Sequence, residues 1–495
     1  MALRRFCGAR VLEFIKDLVL MIGNFEKSAN NSLLGGIQRR IYNLVLSGIA
    51  IAVSAAIGRG ASTRRRLPGD PLRLLIEPSD YVLRNVGDMA MMQIAIERVA
   101  ALWPDAAIQV LTDDPQRLKS LCPSATPLSS EGRQLWLADD FLPSRLQART
   151  SPELITSIRL RAPEMVRLLW KYKLRRSPDR WRVLNRFTSI MAEADAVIVT
   201  GMGGIADAFP EYARDLLMTL SLALHYRKPV VLVGQGIGPL ETAGLRELAG
   251  CVLRRVDMIA LREDIAGGPL LTSLKVPTER VITTGDDAIE IAYRARPAFL
   301  GAGLGINLRA SDYSEVDLEL TSRLRIVFQQ ALRTFDAVAV PVPISMVPGE
   351  ADLATFRTLM DDYDGASVKP PEIGMPNAIL EQLQHCRILV CGSYHAAVFA
   401  CSSGIPAVCL AKSAYYKGKF SGLADLFGEG CEFISLDDPH FELRLREAIH
   451  KCWTSAEQLR PHLLERAEAQ MVIGRAAYQK LYGLISARID RETTG

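Results

Sequence analysis

From Leu72 onward, short apolar runs alternate with longer segments of helical period. Leu72–Ile76, Ala107–Thr112, Ala196–Thr200, Pro229–Val233, Met258–Leu261 and Val281–Thr284 are unbroken or nearly unbroken apolar stretches. Strands covered by helices on both faces read this way, rather than as a strict in–out alternation. The loop Asn85-Val86-Gly87-Asp88 opens a helix predicted over Met89–Leu102. The segment Tyr293–Gly303, with Pro297 and two glycines, reads as an interdomain hinge. Beyond it a second series begins with Leu304–Leu308, Ala337–Val342, Ile388–Val390 and Ala407–Leu410. Strands separated by helices predict parallel sheets joined by right-handed crossovers. The expected fold class is therefore α/β, with two Rossmann-like doubly wound domains facing a cleft, at residues 71–297 and 298–495. A helical N-terminal extension is expected over residues 1–70, and a basic helical insertion over about residues 120–190 of the first domain.

The densest stretch lies late in the chain. The strand Ile388–Val390 breaks at Gly392 and delivers His395 to the start of a helix of small residues, which Gly404 and Pro406 stop before the next strand. Open parallel sheets bind ligands beyond the carboxyl ends of their strands. An imidazole there suits proton transfer near neutral pH. A lone histidine at such a place is equally an ordinary core or capping residue. Two glycine clusters also follow strands: Gly201-Met202-Gly203-Gly204, and Gly234-Gln235-Gly236-Ile237-Gly238. Such turns let a phosphate approach backbone amides at helix starts. Neither is followed by Gly-Lys-Ser/Thr or has dinucleotide-binding spacing, so both also read as plain tight turns. Asn85 and Asp88 stand at a helix start, where Asx residues are common caps.

Composition narrows the class. The chain has 495 residues, 49% hydrophobic and 23% charged, which describes an ordered globular protein. A net charge of +4 argues against a dedicated nucleic-acid binder. Nine cysteines without a Cys-x-x-Cys pair read as small buried hydrophobes in a reducing compartment, and six histidines without a His-x-x-x-His pair give no metal site. Two segments bear on membranes. Residues 41–58 are uncharged and flanked by arginines, which suits a short span, an interfacial helix or a helix packed on the globular body. Residues 158–186 carry ten Lys or Arg against two acidic residues, with Leu168, Leu169, Trp170, Tyr172 and Leu174 interleaved. That pattern suits an anionic bilayer, an acidic partner, or a solvated insertion helix.

Taken in order, the strand-end segments NVGDMA, TGMGGIAD, VGQGIGPL, LREDIA, GDDAIEIA, LGINLR, VPVPISMVPGEAD, CGSYHAAVFACSSGIPAV and YYKGKFSGLADLFG resemble the polysaccharide pyruvyl transferase family. The resemblance runs from about Leu72 to Gly428, interrupted by the basic insertion, and its specificity lies in the order and spacing of many modest motifs. It implies a two-domain fold like that of the GT-B glycosyltransferases. It also implies transfer of the carboxyvinyl group of phosphoenolpyruvate onto two hydroxyls of a sugar, giving a pyruvate ketal and phosphate. The acceptor it implies is a surface glycan or its lipid-linked precursor, at the cytoplasmic face of a membrane.

Phosphoenolpyruvate brings a carboxylate and a phosphate, which guanidinium and ammonium groups recognise. Arg309 follows the strand Leu304–Leu308, Arg262 follows Met258–Leu261, and Lys419 follows the last strand; these three are the candidate anion clamp. His395 is the candidate acid/base. Asn85, Asp88, Gly203, Gly204 and Gln235 are candidate substrate contacts. Phosphoenolpyruvate is a donor substrate here, and neither a cofactor nor a metal is expected. Two features depart from the family pattern: Ser393 stands where an arginine is common, and Met202 interrupts a run of three glycines. These departures keep two other readings open, a nucleotide-sugar glycosyltransferase and a catalytically silent scaffold of polysaccharide assembly.

Overall fold

The structure, a computed structural model, describes residues 69–142, 151–347, 352–372 and 374–494. Residues 41–58, read above as a short span or surface helix, lie outside the described residues. Among the described residues no helix is long and apolar enough to cross a membrane.

Among the described residues two parallel sheets organise the fold. The first has eight strands: β1 Arg73–Glu77, β2 Ala107–Leu111, β3 Thr126–Leu128, β4 Ala196–Val199, β5 Met202–Ile205, β6 Val230–Ile237, β7 Met258–Leu261 and β8 Val281–Thr283. Their order is β3-β2-β1-β4-β6-β7-β8, with β5 pairing onto the far end of β6. The second has five: β9 Gly303–Asn307, β10 Val338–Pro341, β11 Cys386–Cys391, β12 Ala407–Ala411 and β13 Cys431–Ser435, in the order β10-β9-β11-β12-β13. Every strand pairing is parallel. Each sheet reverses its winding direction once, between β1 and β4 in the first and between β9 and β11 in the second. Crevices at such switch points are where doubly wound sheets take ligands.

Three strands escaped the sequence reading, each for a local reason. β3 is three residues long and contains Pro127, which an edge strand tolerates because one side needs no ladder hydrogen bond. β5 is Met-Gly-Gly-Ile, whose glycines have weak strand preference; pairing of Met202 with Gln235 and Ile205 with Ile237 holds it. β13 is a second edge strand, carrying Glu432 amid its apolar residues. The glycine cluster around Gln235 is not a turn after a strand. β6 continues through it to Ile237, and the register shifts between Leu232 and Gln235, where Gly234 adopts φ +60°. This is a bulge in a central strand, which glycine permits because it has no Cβ.

Both sheets belong to one compact unit, whose described parts are residues 69–130, 194–217, 228–347, 352–372 and 374–494. The helices Ala288–Arg294, after β8, and Tyr394–Ser402, after β11, pack on each other, and the long helix Ala456–Thr494 packs on both. Apolar side chains from the two sheets therefore share one continuous core. Polar ties join helices of the first sheet to one another and to the long helix. Arg98 pairs with Asp287 at 2.5 Å and with Glu290 at 2.6 Å, and Tyr478 donates to Asp287 at 2.8 Å.

The basic insertion forms a separate compact unit, whose described parts are residues 131–142, 151–193 and 218–227. It begins after β3, because residues 126–128 pair into the first sheet. Pro152–Arg161, Pro163–Lys173 and Pro178–Glu193 are helices, and Trp136, Trp170 and Phe187 are fully buried. Leu169 and Leu174 are buried as well, so most of the apolar residues interleaved with the basic ones are core, while Tyr172 is exposed.

Candidate functional site

A cavity of about 410 Å³ opens where the carboxyl ends of the strands converge. Its wall comes from the segments after β1 (Asp80, Asn85, Asp88), from β5 (Gly203, Gly204), and after β7 (Arg262), β9 (Arg309), β11 (Ser393, His395) and β12 (Tyr415, Lys419). Residues from both sheets thus meet in one space, because every crossover returns the chain to the same strand ends. Eight of the nine sequence-nominated residues line it. Gln235 does not: its amide donates to the carbonyls of Thr200 and Val233, both at 2.8 Å, bracing the bulge in β6 against the end of β4.

His395 sits in the first turn of the helix Tyr394–Ser402, nearly buried. Its Nε2 lies 3.6 Å from Asp286 Oδ2, beyond hydrogen-bond length but within ion-pair range. Asp286 follows β8, and its other oxygen accepts from the Ala288 amide at 2.8 Å. Burial pushes the Asp286 carboxyl upward, but His395 and then Arg262 outweigh it and hold it below the ordinary carboxylate value. The opposite face of the imidazole rests on Gly87, where a Cβ would overlap the ring. A side chain at that position is therefore excluded by contact, not by backbone conformation.

Asn85 has a double position. Its side-chain oxygen accepts from the amides of Gly87 at 3.0 Å and Asp88 at 3.3 Å, capping the helix Val86–Leu102, while the residue lines the cavity. The capping and site readings therefore coexist there. The Asp88 carboxyl is raised above its ordinary value by burial, with His395 acting in the opposite direction and Asp80 adding to the rise.

The three cations differ sharply. Arg309 is buried and locked: Asp352 accepts from its Nε at 3.0 Å and from a terminal nitrogen at 3.2 Å, and a further nitrogen reaches the Tyr313 hydroxyl at 3.1 Å. Asp352 also accepts from Asn307 at 2.9 Å and from the amides of Ile344 at 2.7 Å and Ser345 at 3.1 Å. Arg262 is stacked over the Tyr394 ring at 4.1 Å and is 3.5 Å from Asp286, while its buried Nε has no hydrogen-bond partner. Lys419, buried in the helix Ala414–Phe427, places its ammonium 3.5 Å from the centre of the Tyr415 ring. Burial first, and the neighbouring charge of Arg262 next, hold its pKa well below the ordinary lysine value, against the pull of Asp88 and Glu263. Gly203 makes room for this cluster: a Cβ there would overlap the Lys419 ammonium and press on Arg262 and the Tyr415 hydroxyl. Buried cations gathered in one space are chemically suited to an anion.

Ser393 caps nothing with its side chain. Its amide donates to Asn307 Oδ1 at 2.9 Å, and its buried Oγ lacks a hydrogen-bond partner. Sequence reasoning passed over Asp286, Asn307 and Asp352, although all three stand inside the strand-end motifs quoted above. Asn307 is the last residue of β9, Asp286 lies three residues beyond β8, and Asp352 opens the helix Asp352–Leu359.

Comparison with known proteins follows the same lines. The sequence model of a family described as polysaccharide pyruvyl transferase matches residues 85–413, more than half of the chain. The chain belongs to this family. The amylovoran biosynthesis protein AmsJ of Erwinia amylovora is 27% identical over 115 residues, which is 23% of this chain and 27% of that protein. The chain thus spans about a quarter of the length of that curated relative. Among solved structures, the UDP-GlcNAc 2-epimerase of Neisseria meningitidis is similar at TM-score 0.48 and 11% identity, covering 85% of this chain and 100% of that one. A UDP-glucosyltransferase of Polygonum tinctorium gives TM-score 0.48 and 12% identity over 85% and 100%. As a pyruvyl transferase family member, the chain lines its cavity with residues from most of the motifs that suggested the family, VGQGIGPL and GDDAIEIA excepted.

Proposed function

We propose that this cavity transfers pyruvate from phosphoenolpyruvate, as a ketal, onto two hydroxyls of a surface glycan or its lipid-linked precursor, at the cytoplasmic face of a membrane. The observation that carries the reading is the proximity of two buried cations beside His395 and Asp286: Lys419, whose pKa burial and Arg262 depress, and Arg262, whose Nε has no hydrogen-bond partner. Phosphoenolpyruvate is small and strongly anionic, which suits such a pocket. In the reaction the methylene carbon gains a proton and becomes the ketal methyl group. The bond between C2 and the phosphate oxygen breaks, phosphate leaves with the electron pair, and two sugar oxygens form bonds to C2. Of the two hydroxyl protons released, one balances the methylene protonation and the other leaves with phosphate. His395, backed by the ionised Asp286, is the group placed to carry these protons, and Lys419 with Arg262 neutralises the leaving phosphate.

The test is phosphate release from phosphoenolpyruvate that requires a glycan acceptor. The His395→Ala variant is expected to lose about 10²–10⁴-fold in this rate; full activity in the variant would remove His395 from the proton path. A second reading, a silent scaffold, draws on Ser393, whose side chain offers no charge where the family commonly has one. No acceptor-dependent phosphate release by the wild type, with phosphoenolpyruvate still bound, would favour it. Thermal stabilisation by a nucleotide sugar and none by phosphoenolpyruvate would instead favour a glycosyltransferase.

A further inference from the structure

The reaction cavity makes no use of the basic insertion, whose charge is concentrated at one tip. Between the end of the helix Pro163–Lys173 and the second turn of the helix Pro178–Glu193, residues 171–182 contain Lys171, Lys173, Arg175, Arg176, Arg180 and Arg182 against the single acid Asp179. All six basic residues are exposed. Two of them are answered locally: Arg182 pairs with Asp179, and Lys173 pairs with Asp140 at 2.7 Å. Among the described residues no carboxylate pairs with Lys171, Arg175, Arg176 or Arg180. Aromatic rings stand among them. The Arg175 guanidinium lies 4.3 Å over the Tyr172 ring, which is 37% exposed, and the Lys171 ammonium lies 5.9 Å over Trp181. The apolar residues below, Leu169, Trp170 and Leu174, are buried and fix the tip on a packed base.

We infer that this tip is a docking surface for an anionic lipid bilayer. Four cations without a carboxylate partner, on the end of one helix, the connecting turn and the start of the next, attract a surface of like-charged phosphate headgroups, each contributing about fivefold in affinity near such a surface. Tyrosine and tryptophan, apolar with a polar edge, settle at the headgroup level. The charge belongs to helical elements seated on buried Leu169, Trp170 and Leu174 rather than to a tail. The inference is independent of the chemistry proposed for the cavity, and its failure leaves that reading intact.

The full-length protein is sedimented with vesicles of phosphatidylglycerol and phosphatidylcholine in equal parts, and with vesicles of phosphatidylcholine alone. Binding is expected to the anionic vesicles, to weaken steeply as salt rises, and to be nearly absent on the neutral ones. The combined variant Lys171→Glu, Arg175→Glu, Arg176→Glu, Arg180→Glu is expected to lose several-hundredfold or more in anionic-vesicle affinity. A charge-keeping control, Arg175→Lys, Arg176→Lys, Arg180→Lys, is expected to bind within a few-fold of wild type. An unchanged thermal melt shows that the reversed variant is folded. Equal binding to neutral vesicles, undiminished binding of the reversed variant, no binding to either vesicle, or binding of the tip to an acidic protein in place of lipid would each overturn the inference.

Discussion

Arg309 and Lys419 line the same cavity and are both buried, yet their surroundings are opposite. Arg309 is held by a carboxylate that itself accepts five hydrogen bonds, from Asn307, from two backbone amides and from two nitrogens of the arginine. Its charge is already answered, and Asp352 holds its pKa well above the ordinary value despite burial. Lys419 faces an aromatic ring and a second cation, and its pKa is depressed. An answered buried charge organises the strand ends; an unanswered one stores an attraction that a ligand releases. Under the proposed reaction, two residues nominated for the same role on the same reasoning divide it, Arg309 toward architecture and Lys419 toward the anionic donor.

The largest expected effect tests the architectural half. Asp352→Ala leaves Arg309 buried without its partner and removes acceptors from Asn307 and two amides, so a loss of about 3–5 kcal/mol is expected. Chemical denaturation reads it directly; a loss under about 1 kcal/mol would mean that the Arg309 cluster does not hold the strand ends together. The opposite sign is expected at Lys419. Because its pKa is lower folded than unfolded, the unfolded chain binds more protons over the intervening range, and the lysine lowers stability as pH falls through it. Lys419→Met is therefore expected to melt higher than wild type near neutral pH, while losing roughly 10²-fold in kcat/KM for phosphoenolpyruvate, about the worth of a charged hydrogen bond. A variant that melts lower and keeps its activity would reverse the comparison.

A smaller effect separates Asp286 from both. Its carboxyl is depressed in the folded state, so it contributes stability above the ordinary carboxylate pKa that is lost as pH falls through the folded value. Asp286→Asn is expected to flatten the acid limb of the stability profile below the ordinary carboxylate range, and to slow the proposed pyruvyl transfer at every pH. An unchanged acid limb would contradict the pairing with His395. The smallest effect is expected at Ser393. Its hydroxyl makes no hydrogen bond, so Ser393→Ala is expected to change stability by less than about 0.5 kcal/mol. A larger loss would reveal a role for the hydroxyl in the helix start.

The apolar strands that form the centres of both sheets were legible because burial on two faces leaves an unbroken hydrophobic signature. The edge strand with Pro127 and the glycine-rich β5 were not, because tertiary pairing overrides weak local preference. Gln235 was misplaced for a related reason: a glycine cluster in one dimension does not distinguish a turn from a bulge inside a strand. At the site, His395, Arg262, Arg309 and Lys419 could be nominated because each follows a strand. Which of the cations is already neutralised depends on Asp352, 43 residues from Arg309, and no local pattern carries that information. The approach of Gly87 to the His395 ring, across more than 300 residues of chain, was equally invisible.

The central claim is that Lys419 is an unanswered cation awaiting the donor. Calorimetric titration of phosphoenolpyruvate in buffers of different ionisation enthalpy, at a pH above the lowered lysine value, measures the protons exchanged on binding. Wild type is expected to take up a proton as the bound anion restores the ammonium, and Lys419→Met to bind far more weakly with no such uptake. Binding of equal strength and equal proton balance in the two proteins, or no binding of phosphoenolpyruvate by the wild type, would contradict it.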